Sequence, residues 1–154
     1  MRLSTRGDYA VRAVLELAER PAGVPLPLHE LAARAGVPEK YLEQILMRLR
    51  AARILSARRG AQGGYLLARP PEEITVGDIV RVMDGPLAPI ACASKTAYES
   101  CPAWRCADAA NCTLRGFWTE VRDAVADVVD HTTFADLAAR ASEQRAVHTL
   151  TYQI

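Results

Sequence analysis

Residues Leu28 to Ala68, LHELAARAGVPEKYLEQILMRLRAARILSARRGAQGGYLLA, decide how this 154-residue chain folds. Leu28 to Ala35 reads as a short helix, Gly36 supplies the tight turn after it, and Pro38 suits a first helical residue, which needs no backbone donor. A second helix is predicted to run to about Arg53. In it Leu42, Ile45, Leu46 and Leu49 recur at the spacing of one buried face, leaving Lys40, Tyr41, Glu43, Gln44, Met47 and Arg48 outside. Helix, Gly-containing turn and helix make the helix-turn-helix pattern. Two short apolar runs follow, Ile54 to Ala57 and Gly64 to Leu67, joined by Arg58-Arg59-Gly60-Ala61-Gln62-Gly63. They predict a β-hairpin wing with a basic tip, whose Gly63 and Gly64 let backbone approach a phosphate closely.

Charge sorts with this stretch. Residues 34 to 69 hold eight Lys and Arg against two acids, Glu39 and Glu43, so this segment is +6 and the rest of the +1 chain is −5. A basic face hidden in a near-neutral total is the footprint expected for a nucleic-acid partner, here double-stranded DNA. On the second helix, Lys40, Tyr41, Glu43, Gln44 and Arg48 are the candidate contacts, with Arg58 and Arg59 on the wing. Glu43 has an alternative as an intrahelical partner of Arg48 or Lys40.

The chain is long enough for one domain and an added element. No apolar run approaches the roughly 20 residues a membrane span needs, and Met1-Arg2-Leu3-Ser4 opens into an amphipathic pattern instead of a signal peptide. A cytoplasmic protein without a membrane partner is expected. An enzyme is not expected. His29, His131 and His148 are scattered, and the glycines at 60, 63 and 64 lie in a hairpin without the Lys-Ser/Thr of a phosphate-binding loop.

Ahead of the wing unit, Ser4 or Thr5 caps a first helix, with Asp8 placed to answer Thr5 in a capping box and Pro21 ending the helix. Arg2, Ser4 and Thr5 near its N-terminus are further candidates for a DNA phosphate. After the wing, Thr75 and Asp78 start a helix through Met83 that Asp84-Gly85-Pro86 stops. Leu87 to Asn111 has no periodicity, and a loop of that length needs something to hold it. From Cys112 to about Asp130, Leu114, Phe117, Trp118, Val121, Val125 and Val128 repeat at helical spacing, a stripe suited to pair with a second copy in a homodimer or to pack on its own domain. A two-fold dimer matches a palindromic operator. A short docking helix, Phe134 to Ala141, capped by Thr132 or Thr133, precedes an unpatterned tail. The expected organisation is a mostly α chain: a winged helix-turn-helix domain at 1–84, a cysteine-bearing loop at 85–111, dimer and docking helices at 112–141 and a tail at 142–154.

The four cysteines, Cys92, Cys101, Cys106 and Cys112, fall within twenty-one positions, with eight, four and five residues between neighbours. Structural zinc sites usually pair ligands with two to four residues between them, and only the Cys101 to Cys106 gap fits. Iron–sulfur clusters take thiolates from irregular loops and tolerate open spacing, so iron–sulfur ligation is the favoured reading. A zinc site, a thiol redox switch and inert thiols stay open as alternatives.

The segments MRLSTRGDYAVRAVLELA, YLEQIL, RRGAQGGYLLARP and ITVGDIVRVMDGPLAP, with Cys106, Cys112 and Trp118, resemble the Rrf-two family of bacterial winged-helix regulators, specifically its cluster-binding, IscR-like and NsrR-like branch. The resemblance covers Met1 to about Arg140. It implies a homodimeric repressor or activator whose 2Fe-2S or 4Fe-4S cluster reports iron–sulfur, redox or nitric oxide status by changing DNA affinity. It implies that Tyr41, Glu43, Gln44 and Arg59 read DNA, and that Cys92, Cys106 and Cys112 ligate the cluster. Cys101 is extra to that pattern. Arg115 stands where IscR-like members have a ligating histidine, and Asp8 matches the partner-chain acid of NsrR-like members. The fourth ligand is therefore Cys101 or Asp8, with Cys101 preferred because thiolate is the softer donor. The alternative is a zinc-stabilised or thiol-redox-switched DNA-binding regulator without a cluster.

Overall fold

The computed structural model describes residues 3–102, 106, 108 and 111–151. Its elements are α1 (Thr5–Ala18), α2 (Leu28–Ala35), α3 (Glu39–Ala51), β1 (Leu55–Arg58), β2 (Gly64–Leu67), α4 (Val76–Asp84), α5 (Thr113–His131) and α6 (Phe134–Thr151), with 3₁₀ turns at Pro71–Glu73 and Ala91–Ala93. This is the expected mostly helical winged helix-turn-helix. Among the described residues no helix is long and apolar enough to cross a membrane.

The α2–α3 unit follows the apolar spacing. Gly36 takes the left-handed conformation, φ 65, and Val37 then donates back to the Ala32 carbonyl at 3.0 Å, turning the chain into α3. Pro38 stands just ahead of α3, not in its first turn, and its carbonyl accepts from Tyr41 and Leu42 at 3.0 and 2.9 Å. The helix stops at Ala51, two residues before the predicted end, because Arg53 adopts φ 57 and cannot continue it. Leu42, Ile45, Leu46 and Leu49 are buried as predicted, in one core with Ala10, Val14, Leu31, Ile74 and Ile79.

The wing is an antiparallel hairpin in register Leu55↔Leu67 to Arg58↔Gly64. Its first strand begins one residue later than predicted, because Ile54 is turned into the core and its carbonyl accepts from Ala68 at 2.9 Å. Leu26 and Tyr65 exchange two backbone hydrogen bonds at 2.9 and 2.8 Å, which fastens the post-α1 segment to the wing. A Cβ at Gly64 would run into the Leu26 carbonyl, so that glycine answers to packing within the fold.

Ser4 caps α1, accepting from Gly7 N–H at 3.0 Å, while its own N–H and hydroxyl both donate to Asp84 at the end of α4. The expected capping box between Thr5 and Asp8 does not form. Thr5 is already helical, and Asp8 instead bridges Arg12 at 2.9 Å one turn on. Thr75 and Asp78 do form a capping box for α4.

Helix α5 buries no residue in the chain's own core. Its C-terminal end is nevertheless fixed. Val76 N–H donates to the Thr132 carbonyl at 3.0 Å, Phe134 N–H donates to the Ile74 carbonyl at 2.9 Å, and the Phe134 ring is fully buried with the α1–α4 core. Thr133 and Asp136 make a capping box at this corner, which settles the choice between the two threonines. Asp130 completes the attachment, accepting from both guanidinium nitrogens of Arg81 at 2.5 and 2.8 Å.

Helix α6 runs on to Thr151, through most of the stretch expected to be a tail; residues 152–154 of that tail lie outside the described residues. Residues 142–147 are all exposed, so no apolar stripe marks them. Intrinsic propensity of Ala, Glu, Gln and Arg sustains the helix, and Arg145 reaches back to Glu19 at 3.0 Å.

Two outcomes are expected. Phe134→Ala, which empties a fully buried site, will lower stability by about 3–5 kcal/mol in denaturant titration at fixed protein concentration; a cost under about 1 kcal/mol would show that the corner does not hold α6. The Arg81 hydrogen bond holds the Asp130 carboxyl below the usual carboxylate range. Its contribution is therefore complete above about pH 4 and is lost as pH falls through the lowered value. Because both side chains are partly exposed, the effect is below about 1 kcal/mol, and Asp130→Asn should flatten that limb of the pH–stability curve.

Candidate nucleic-acid interface and cysteine centre

On α3, Lys40, Glu43, Gln44 and Arg48 are all exposed on the face opposite the buried leucines. Tyr41 is half-buried, its ring edge-on to Tyr9 of α1 at 5.7 Å between centroids. That contact braces the outer face of α3 against α1. Among the described residues Glu43 makes no ion pair with Arg48 or Lys40, so its carboxylate is presented to solvent beside Gln44. Arg58 and Arg59 are exposed at the wing, and Gly63 closes its tip with an N–H to the Gly60 carbonyl at 2.9 Å. At the N-terminus of α1 the geometry is less favourable to an anion than the sequence implied. Thr5 is exposed, but both Ser4 donors are committed to the Asp84 carboxylate, with which a phosphate would compete. Arg2 lies outside the described residues.

The cysteines converge. Cys92, Cys101, Cys106 and Cys112 all line one cavity of about 240 Å³, closed by Ile90, Glu99, Leu114, Arg115 and Trp118 among others. None is in a disulfide. Cys92 belongs to the 3₁₀ turn Ala91–Ala93, and Cys112 is the residue ahead of α5. The Cys101 thiol donates to Cys92 Sγ at 3.6 Å, and the Cys106 thiol donates to the Asp108 carbonyl at 3.5 Å. Desolvation, followed by the neighbouring Cys112, pushes the Cys106 thiol up. The Cys112 thiol is held below its ordinary value, first by the Arg115 backbone N–H, then by the Cys106 thiol, the Leu114 N–H and the Arg115 charge. This is the expected behaviour of a thiol at a helix N-terminus.

Two arginines tie this cavity to α5: Arg115, which sequence reading noted only as the place of a missing histidine, and Arg122, which it did not single out. Arg115 Nε donates to the Cys92 carbonyl at 3.0 Å, with its guanidinium 5.4 Å over the Tyr98 ring, and Arg122 donates to the Ala93 carbonyl. Their spacing of seven, two helical turns, was the available signal. Asp8 does not line the cavity in its own chain. Among the described residues no three His, Cys, Asp or Glu side chains close on one point as ligands of a single ion.

The apolar stripe of α5 starts at this cavity. Trp118 lines it and packs edge-on with Phe117, 5.0 Å between centroids. Leu114, Phe117 and Val128 are 66, 52 and 65% exposed, while Val121 and Val125 are half-buried.

Comparison with known proteins places this architecture. A family model described as Rrf2, iron-dependent transcriptional regulator, matches residues 3–140. The regulator CymR of Bacillus subtilis is 37% identical over 90% of this chain and 91% of its own length. Its solved structure, described as that of the global cysteine regulator, superposes with a TM-score of 0.72 at 36% identity, covering 91% of this chain and 98% of CymR. The structure of T. potens IscR gives a TM-score of 0.70 at 34% identity over 94% of this chain and 90% of its own. IscR of Escherichia coli O1:K1 is 31% identical over 89% of this chain and 80% of its own. These relatives are transcriptional regulators, not enzymes. Family resemblance, helix-turn-helix, wing and basic face agree, and the chain belongs to the Rrf2 family of DNA-binding transcriptional regulators.

Proposed function

We propose that this regulator works as a cytoplasmic homodimeric repressor that binds a palindromic operator and senses iron–sulfur, redox or nitric oxide status through an iron–sulfur cluster held by Cys92, Cys101, Cys106 and Cys112. The observation that carries the reading is the meeting of all four thiols in one cavity between the cysteine-bearing loop and the start of α5. The donor set fits such a group. Thiolates are the ligands iron–sulfur centres take, and the open spacing of the four, with no three closing on one point among the described residues, suits a group larger than a single ion. When bound, the cluster would supply one-electron redox chemistry and sensitivity to oxygen and nitric oxide.

Cys101 is the preferred fourth ligand because it already lines the cavity, whereas Asp8 would have to come from the second copy. The chain's own residues carry the rest. Arg115 and Arg122 hold the Cys92-bearing turn on α5, so the state of the cysteine loop is passed to that helix. The exposed Leu114, Phe117 and Val128, with Trp118, Val121 and Val125, form the seam between two copies. Each copy then presents Lys40, Tyr41, Glu43, Gln44 and Arg48 to one half-site. Arg58, Arg59, Gly63 and Gly64 approach the backbone or minor groove at the wing, and Arg2, Ser4 and Thr5 give weaker phosphate contacts. The CymR and IscR relatives leave the signal itself open, which is why the metal content is the test.

Anaerobic reconstitution should yield a coloured protein with bound iron and acid-labile sulfide, and Ser at any of the four cysteines should remove at least most of both, with Asp8→Asn unaffected. Loss with Asp8→Asn but not with Cys101→Ser would make the partner's carboxylate the ligand; a colourless protein with stoichiometric zinc would overturn the cluster. On an operator selected from random DNA, Gln44→Ala should cost about 1–3 kcal/mol of specific binding, while Arg59→Ala should weaken all sequences and lower the salt slope by about one. Equal losses on specific and random DNA for Gln44→Ala would remove it from base reading.

A further inference from the structure

We propose that Cys92 and Cys101 are also a disulfide-forming pair: in the iron-free chain a peroxide-class oxidant joins them, and the bond and iron loading exclude each other. Their sulfurs are 3.6 Å apart, and a disulfide needs about 2.05 Å, so closure requires a relative movement of about 1.5 Å. Neither residue sits in a long helix or a strand that would resist it. Cys92 is in a single 3₁₀ turn and Cys101 is in irregular chain. The two carbonyls that fasten the turn to α5, those of Cys92 and Ala93, point to Arg115 and Arg122, and the Cys92 side chain can shift without breaking either bond.

Access orders the chemistry. Cys92 is 7% exposed while Cys101 is only partly covered, so Cys101 meets the oxidant first. Its thiolate attacks one peroxide oxygen, the O–O bond breaks, a first water leaves after protonation, and a sulfenic acid forms on Cys101. Cys92 then attacks that sulfur. The S–S bond forms, the S–O bond breaks, and a second water leaves. Two thiols have lost two electrons and two protons, and one hydrogen peroxide has become two waters. The same two sulfurs are then unable to hold iron. That exclusion rests on the iron reading above; the disulfide does not.

Trypsin separates the possibilities, because cleavage after Arg81, Lys95, Arg105 and Arg115 puts Cys92, Cys101 and the Cys106–Cys112 pair on three different peptides. Iron-free, reduced full-length chain is treated with one equivalent of hydrogen peroxide, alkylated and digested. The expected product is peptide 82–95 joined to 96–105, lighter by two hydrogens than the two thiol peptides together, abolished by dithiothreitol and still formed in the Cys106→Ser/Cys112→Ser variant. Iron uptake on reconstitution should fall at least tenfold after peroxide and return on reduction. A link confined to peptide 106–115, a link from Cys101 to that peptide, or oxidation of single thiols without any cross-link overturns the pair. A 92–101 link with undiminished iron uptake overturns the exclusion. If untreated chain takes up no iron at all, the cluster reading fails, and the peptide map still decides the disulfide.

Discussion

The Phe134 corner is the constraint on which the rest of the structure depends. A ring with no exposed surface, two backbone hydrogen bonds to Ile74 and Val76, and the Thr133–Asp136 capping box fix where α5 leaves the wing domain. Buried apolar area of this kind is non-directional, but the two hydrogen bonds are not, and together they set both position and angle. Once the C-terminal end of α5 is pinned, its N-terminal end can only sit at one distance from α4. The chain from Gly85 to Ala93 crosses from α4 to α5 as a strut: Asp84 is tied to Ser4 at one end, and the Ala91–Ala93 turn is tied to Arg115 and Arg122 at the other. The cysteine cavity occupies the strut itself. In the proposed reading a change there acts on α5 through Arg115 and Arg122, while the buried Phe134 keeps the far end of that helix in place.

Electrostatics divides the molecule in the same way. Positive charge gathers on the α2-to-wing segment, where Lys40, Arg48, Arg58 and Arg59 face solvent, while the Arg81–Asp130 and Arg145–Glu19 pairs and the Arg122 bond to the Ala93 carbonyl serve attachment of the C-terminal helices. The arginines are thus of two kinds. Those bonded to carboxylates or carbonyls within the fold hold parts together, and those left in water are available to an anionic partner. Glu43 is an acid among these exposed bases, and in the proposed reading it serves discrimination, since a carboxylate repels phosphate and gains only where a base edge can answer it.

The helix-turn-helix and its core were legible in the sequence because burial imposes a period, and Leu42, Ile45, Leu46 and Leu49 show it without interruption. The wing was legible from its glycines, although Gly64 turned out to serve the Leu26 contact within the fold. Helix α6 beyond Ala141 was not legible, since residues 142–147 are exposed and leave no apolar period, and the helix there draws on propensity and the Arg145 pair with Glu19, the residue that caps α1. The Thr5–Asp8 capping box was a local inference overruled by a tertiary partner, Asp84, eighty residues away from Ser4. At the centre, the cysteines were found by residue type and count, but their convergence required the fold. Arg115 could be read only as the absence of a histidine, whereas in place it is a bond to the Cys92 carbonyl and a stack on Tyr98.

In the proposed reading, a strut that carries the iron ligands and spans two fixed ends couples ligand state to helix separation by geometry, with no further moving part. Operator affinity of the same preparation with and without its iron, measured anaerobically by fluorescence anisotropy at one salt concentration, tests this most directly. The account predicts a difference of about 5- to 150-fold, the range of a coupling free energy of 1–3 kcal/mol. Identical affinities for the iron-loaded and iron-free forms would contradict it.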